Sequence, residues 1–330
     1  MIKAENLTKR YGSNTALDSV SFEIGDRGVI GLLGPNGAGK STTMNIITGY
    51  LSATSGSAVV MDTDIMKNPT KAKSYIGYLP EQPPLYTEMT VMEYLNFVYD
   101  LKKCKLDRSA HLSEICDVVG ISDVKGRIIS HLSKGYRQRV GIAQALVNDP
   151  PILIFDEPTV GLDPKQIIEI RNLIRTLGAK HTVILSTHIL SEVQAVCERI
   201  IIINKGKIIA DRKTDELSRE IDDTAKYKIK ICAPKEDVKR ELSACPSLSS
   251  CELLPDRDMD SSAFIVENKK GVDARKSIYY ICERQGWPLI EFSPVGMELE
   301  DIFLRLVDGK GGSDENKKKR SRREERRYTR

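Results

Sequence analysis

Short apolar runs, bounded by glycine, proline or polar residues, mark out the first two thirds of the chain. Residues 28–33, 152–155, 182–185 and 199–204 are apolar throughout or through their interiors. Such runs are typical of parallel strands covered on both faces. Amphipathic segments lie between them, so residues 1 to about 215 read as a mainly parallel α/β core. From Thr90 to Val147 the strand signal stops. A helical period takes over in VMEYLNFVYDLKK (91–103), LSEICDVVG (112–120) and RVGIAQALVNDP (139–150), which predicts a helical insertion. After Asp215 the pattern resets. KYKIKIC (226–232), SAFIVEN (262–268) and PLIEFSP (288–294) are expected to be strands, and residues 272–285 and 298–307 helices. Together they make a small α+β domain over 222–308.

With 330 residues the chain has room for about two domains, and its apolar fraction of 40% is ordinary for a water-soluble protein. No apolar stretch approaches the ~18 residues needed to cross a bilayer, and MIKAENLTKRYG lacks a signal-peptide apolar region; a cytoplasmic protein is expected. Seven cysteines, at 104, 116, 197, 232, 245, 251 and 282, include no C-x-x-C pair, which argues against a disulfide framework and a zinc site. The net charge of +4 is unevenly placed. Residues 310–330 hold ten Lys/Arg against four Asp/Glu, leaving 40 basic and 42 acidic residues, a net of −2, in the rest. This basic tail, 309–330, reads as disordered and solvating, with weak contact to anionic lipid as the alternative. Nucleic acid is not expected as a partner, because the body shows no basic patch.

One stretch carries specific chemistry. Gly34-Pro35-Asn36-Gly37-Ala38-Gly39-Lys40-Ser41-Thr42 fits G-x-x-x-x-G-K-[ST], directly after the 28–33 run and before a segment able to continue as a helix to Thr48. In such a phosphate loop, backbone N–H groups wrap the phosphates of a nucleotide, the lysine neutralises the outer ones and the hydroxyl holds Mg²⁺. ATP or GTP is therefore the expected ligand. In open parallel sheets ligands bind beyond the carboxyl ends of the strands, which gives weight to two further places. The run 152–155 ends in Asp156-Glu157, where Asp156 would organise Mg²⁺ and Glu157 would polarise an attacking water. The run 182–185 leads to His188, able to donate to a γ-phosphate.

Leu132-Ser-Lys-Gly-Tyr-Arg-Gln138 before the 139–150 helix, and Gly161-Leu-Asp-Pro164 after the acidic run, complete an ordered set. With them the chain resembles the ATP-binding subunit of an ABC transporter, of the single-domain drug-export or gliding-motility type. The resemblance implies a phosphate-loop NTPase core with a helical insertion and ATP, with Mg²⁺, as the ligand. It implies that Tyr11 stacks on adenine, that Asn36 to Thr42 hold the phosphates, that Ser41 and Asp156 serve the metal, and that Glu157 and His188 act in hydrolysis. Ser133, Gly135 and Asp163 would face the nucleotide of a second subunit, in a head-to-tail homodimer. A separately encoded integral membrane permease is the implied partner, which places the chain peripherally on the cytoplasmic face of the membrane. Leu85, Tyr86, Tyr94, Phe97 and Tyr99 are candidates for docking it.

The sequence departs from the family pattern in two places. The signature reads LSKGY where LSGGQ is commoner, and the position expected to hold a metal-contacting glutamine is Glu81, with Gln82 next to it. A soluble ABC ATPase acting on a non-membrane partner is the alternative, though such proteins usually carry two nucleotide domains or a long coiled coil. A non-enzymatic regulator on the same fold would be expected to lack Glu157.

Overall fold

The apolar runs become neighbouring strands in the computed structural model, which describes residues 2–25, 27–216, 226–255, 260–269 and 271–294. β3 (Gly28–Leu33), β7 (Ile152–Asp156), β8 (Thr182–Thr187) and β9 (Arg199–Asn204) join β6 (Ile76–Leu79) and β10 (Lys207–Lys213) in one sheet. Its order is β10-β9-β3-β8-β7-β6, and only β10 runs antiparallel to its neighbour. Every residue of β3, β7 and β8 is buried. α1 (Lys40–Ile47), α2 (Pro69–Ser74), α6 (Pro164–Gly178) and α7 (Leu190–Val196) supply helical connections.

A second sheet was not expected. β1 (Ile2–Tyr11), β2 (Asn14–Ile24), β4 (Ser55–Val60) and β5 (Thr63–Asp64) form an antiparallel layer in the order β2-β1-β4-β5. In β2, Leu17, Val20, Phe22 and Ile24 point inward while Ser21 and Glu23 face out. That alternation belongs to a sheet wet on one face, and its polar half masks it among segments chosen for continuous apolarity. One core binds this layer (Leu7, Leu17, Val60) to α1 (Met44, Ile46, Ile47) and to the larger sheet (Ile30, Ile154, Ile184, Ile201). Fully burying each such side chain contributes about 1.5–3 kcal/mol.

The helical insertion consists of α3 (Val91–Leu101), α4 (Arg108–Val119), two 3₁₀ turns and α5 (Lys134–Leu146). Thr90 and Glu93 form a reciprocal capping box at the start of α3. At its end, Lys102 crosses to α5 and donates to the carbonyls of Gln144, Ala145 and Val147 at 3.0, 3.2 and 2.9 Å. It thereby serves acceptors that the last turn of α5 leaves without helical partners. Burial pushes the Lys102 amine down to about 8, with the nearby Cys104 thiol acting the other way.

Chain contacts divide between Thr214 and Asp215 into two compact units. In the second, β11 (Lys226–Ile231), α8 (Lys235–Ser243), β12 (Leu248–Leu254), β13 (Ser262–Asn268), α9 (Arg275–Gln285) and β14 (Leu289–Pro294) follow one another. The βαββαβ sequence and the antiparallel order β12-β13-β11-β14 make a ferredoxin-like unit with its own core, including Ile229, Val238, Phe264 and Ile278. The first and last strands pair, with Tyr227 opposite Pro294. α8 and β12 were not expected. Only Val238 and Leu242 are buried in α8 and only Leu248 in β12, too few for a periodic signal. The helix expected at 298–307 and the basic tail lie outside the described residues.

Candidate functional site

Parallel register brings the strand ends together. Leu33 lies opposite Thr187, Asp156 opposite Ser186 and Leu79 opposite Phe155. The segments after β3, β7, β8 and β6 therefore leave from one rim, where the phosphate loop, Glu157, His188 and Glu81 line a cavity of about 520 Å³.

The loop is held tightly from behind. A Cβ on Gly34 would sit 2.2 Å from the Ile203 carbonyl oxygen of β9, so no side chain fits there. Gly39 has φ 111, and a Cβ on it would lie 2.9 Å from the Ala16 oxygen. It caps α1 in a conformation that L side chains rarely adopt. Lys40, 6% exposed, donates from Nζ to the Gly34 carbonyl at 2.8 Å and to that of Pro35 at 3.4 Å, and lies 3.6 Å from Glu157 Oε1. Ala38 is buried and its carbonyl accepts from Gly206 N. Asn36, Gly37, Gly39, Lys40, Ser41 and Thr42 all line the cavity, and so does Tyr11, half exposed, with the Lys9 ammonium 5.2 Å from its ring centre.

Glu157 is buried and takes φ 49, an uncommon conformation for a residue with a side chain. Its N–H donates to the Ser186 carbonyl at 2.9 Å, and both its carboxylate oxygens lie 3.0 Å from His188 Nδ1, so the imidazole donates to it. Asp156 is 4% exposed and its Oδ1 has no protein partner. It lines an adjoining cavity of about 720 Å³ with Ser41, Glu81 and Gln82. Glu81 and Ser41 border both cavities, Gln82 only the second. Tyr78, also on the second cavity, is pushed up to about 12, first by burial and then by the negative charge of Asp156.

Ser133, Gly135 and Asp163 do not line either cavity. Ser133 caps α5 by accepting from Tyr136 N, and Asp163 caps α6 by accepting from Gln166 N at 2.9 Å; both are exposed. The two caps are neighbours. Gly135 packs so closely on Gln166 that a Cβ would fall 2.6 Å from its side-chain carbon, and the Lys134 amine fills the space a side chain on Gly161 would need. Tyr136, the other signature departure, donates from its hydroxyl to Asp123 at 3.0 Å. Of the docking candidates, Tyr94 and Tyr99 are core residues at 2% and 6% exposure, whereas Tyr86 and Phe97 are exposed and stack edge to face. Asn14, Ala16 and Val160, also on the first cavity, went unnoticed in the sequence. Asn14 had a signal, since it closes the Tyr11-Gly-Ser-Asn14 turn that holds Tyr11 at the rim.

A phosphate loop, an Asp-Glu strand end and a facing histidine on a parallel sheet define the class: a phosphate-loop ATPase. Residues 17–160 match the family model described as ABC transporter. An uncharacterised ABC transporter ATP-binding protein of Bacillus subtilis is 31% identical over 93% of this chain and 99% of its own length. The bacitracin transport ATP-binding protein of Bacillus licheniformis is 34% identical over 66% of this chain and 72% of its own. Among solved structures, a dimeric bacterial ABC transporter cassette is similar with a TM-score of 0.60 and 29% identity, over 65% of this chain and 99% of that one. A Clostridium perfringens protein that is part of the ABC transporter complex cbiONQ gives 0.60 at 27%, over 74% and 95%. The chain belongs to the ATP-binding subunits of the ABC transporters.

Proposed function

We propose that this ATPase subunit closes head to tail on a second copy around two ATP molecules and so drives a separately encoded membrane permease from the cytoplasmic face. The observation that carries the reading is the convergence of Tyr11, Lys40, Ser41, Glu157 and His188 on one cavity. Tyr11 offers adenine an exposed aromatic face. The loop N–H groups and the Lys40 ammonium take the phosphates. Ser41 Oγ and the orphaned Asp156 Oδ1 are hard oxygen donors at one cavity, which fits Mg²⁺. Mg²⁺, when bound, would draw charge from the phosphate oxygens and favour displacement. Glu81 and Gln82 both border that cavity, and Glu81 also borders the one lined by the phosphate loop, which favours it as a further oxygen donor. Glu157 accepts the proton of the attacking water, and the His188 N–H holds its carboxylate in place.

Ser133 and Asp163, both exposed, and the buried Gly135 beside them stand apart from their own chain's cavity, which favours service to a partner's nucleotide. Among the described residues no helix is long and apolar enough to cross a membrane, and the reading gives the transport path to another polypeptide. Relatives named for bacitracin transport and linearmycin resistance support a permease of the drug-export type.

Glu157→Gln tests the base. The amide keeps the shape but does not take a proton, so ATP should still bind while turnover falls by roughly 100-fold or more. Light scattering with ATP and Mg²⁺ should then find a stable dimer, and turnover at the wild-type rate would remove Glu157 from the role.

A further inference from the structure

Glu192 lies in the first turn of α7, 1% exposed, and no step above uses it. Its two carboxylate oxygens reach two different loops. Thr159, two residues beyond Glu157, donates from Oγ1 to Oε1 at 2.6 Å. Thr187, immediately before His188, donates from Oγ1 to Oε2 at 2.9 Å. Both threonines are buried, and Thr187 Oγ1 in turn accepts from Ile189 N at 3.1 Å. One carboxylate thus spans the segments that follow β7 and β8, each within two residues of a group in the Glu157–His188 pair. A third element joins them, since Arg171 of α6 approaches Glu192 Oε1 at 3.6 Å.

Stability is a poor explanation for this arrangement. Taking a carboxylate out of water is costly, and an ion pair restores that cost only when it is close and well bonded. Arg171 stays beyond hydrogen-bond distance and leaves its own Nε buried without a partner. The backbone beside the node is itself strained, because Glu157 holds φ 49. Strain of this kind, about 1–3 kcal/mol per residue, persists only where surrounding contacts over-determine it. Glu192 supplies such contacts on either side of the pair.

We propose that Glu192 is a positioning residue for ATP hydrolysis: through Thr159 and Thr187 it fixes the Glu157 carboxylate against the His188 ring. The inference rests on the reading of Glu157 as the base. Its effect is on geometry at the reacting atoms and not on nucleotide binding, because Glu192, Thr159 and Thr187 line neither the loop nor its cavity.

The test uses the full chain and a hydroxyl deletion that keeps volume. Thr159→Val should lower kcat by about 10- to 100-fold, the loss expected when a catalytic group is displaced by roughly an ångström. KM and fluorescent-ATP affinity should stay within about twofold, and Thr159→Ser, which restores the hydroxyl, should recover most of the rate. Glu192→Gln should lower kcat in the same sense. Adding it to Thr159→Val should cost little more than the worse single change, since both break one network. Circular dichroism melts check that each variant is folded. Wild-type kcat in folded Thr159→Val would overturn the proposal, as would a rate loss that Thr159→Ser does not recover, or one that multiplies fully with Glu192→Gln. Glu157→Gln is assayed alongside. If it still turns over, the base assignment has failed; if it is dead while Thr159→Val is fully active, only the positioning role has failed.

Discussion

Lys40 shows how a single residue carries the site. Its ammonium is buried, satisfied by the loop's own carbonyls and close to Glu157, so it is aimed before any ligand arrives. Lys40→Ala removes a charged hydrogen-bond donor worth about 1.5–3 kcal/mol, so nucleotide affinity should fall by roughly 10- to 100-fold. Fluorescent-ATP titration decides this, and unchanged affinity would mean that the loop is not the site. At this scale the sequence was informative wherever phosphate chemistry restricts the residue type: glycine where Ile203 leaves no room, lysine over the loop, a carboxylate at a strand end. It was silent where a residue acts through a neighbour. Nothing around Glu192 in the chain shows that it meets Thr159 and Thr187, whereas Asn14 at least closes the short turn after Tyr11. The choice between Glu81 and Gln82 stays open in two adjacent polar residues, and both border the cavity of Asp156.

Among elements, the junction of α3 with α5 has a measurable pH signature. Lys102 carries a pKa of about 8 in the folded chain and 10.5 as its ordinary value. Below about pH 8 it is charged in both states and its burial costs stability. Between about 8 and 10.5 the unfolded chain binds more protons, so the contribution of this site to stability rises with pH. Wild-type protein should gain on Lys102→Met by up to about 3 kcal/mol across that window, read from denaturant midpoints at successive pH values. Parallel curves would show that the amine stays charged. The elements themselves were legible in proportion to their burial. The fully covered strands β3, β7 and β8 stood out as apolar runs, while β2, α8 and β12 did not. Their core is supplied partly by other segments, so a window along the chain sees only half of each pattern.

For the molecule as a whole, the separation of Ser133 and Asp163 from their own cavity sets the decisive experiment. Ser133→Arg should leave binding at Lys40 intact and block ATP-dependent pairing, and Lys40→Ala should be inactive at ATP concentrations too low to fill its weakened site. A mixed pair places both lesions in one composite site and leaves the other whole, so ATPase activity should reappear when two inactive proteins are combined. Mixed dimers that form and stay inactive would mean that each chain uses its own signature or that the two sites must fire together. The second unit carries a different lesson. Because Tyr227 and Pro294 face each other across paired strands, the first strand of this unit begins beside the end of its last. A short linker joining those ends, with a new opening at the exposed Gly271, would give a circular permutant that keeps every strand pairing. A module whose first and last strands end side by side can be re-closed on itself in this way, because joining its ends strains none of its own pairings.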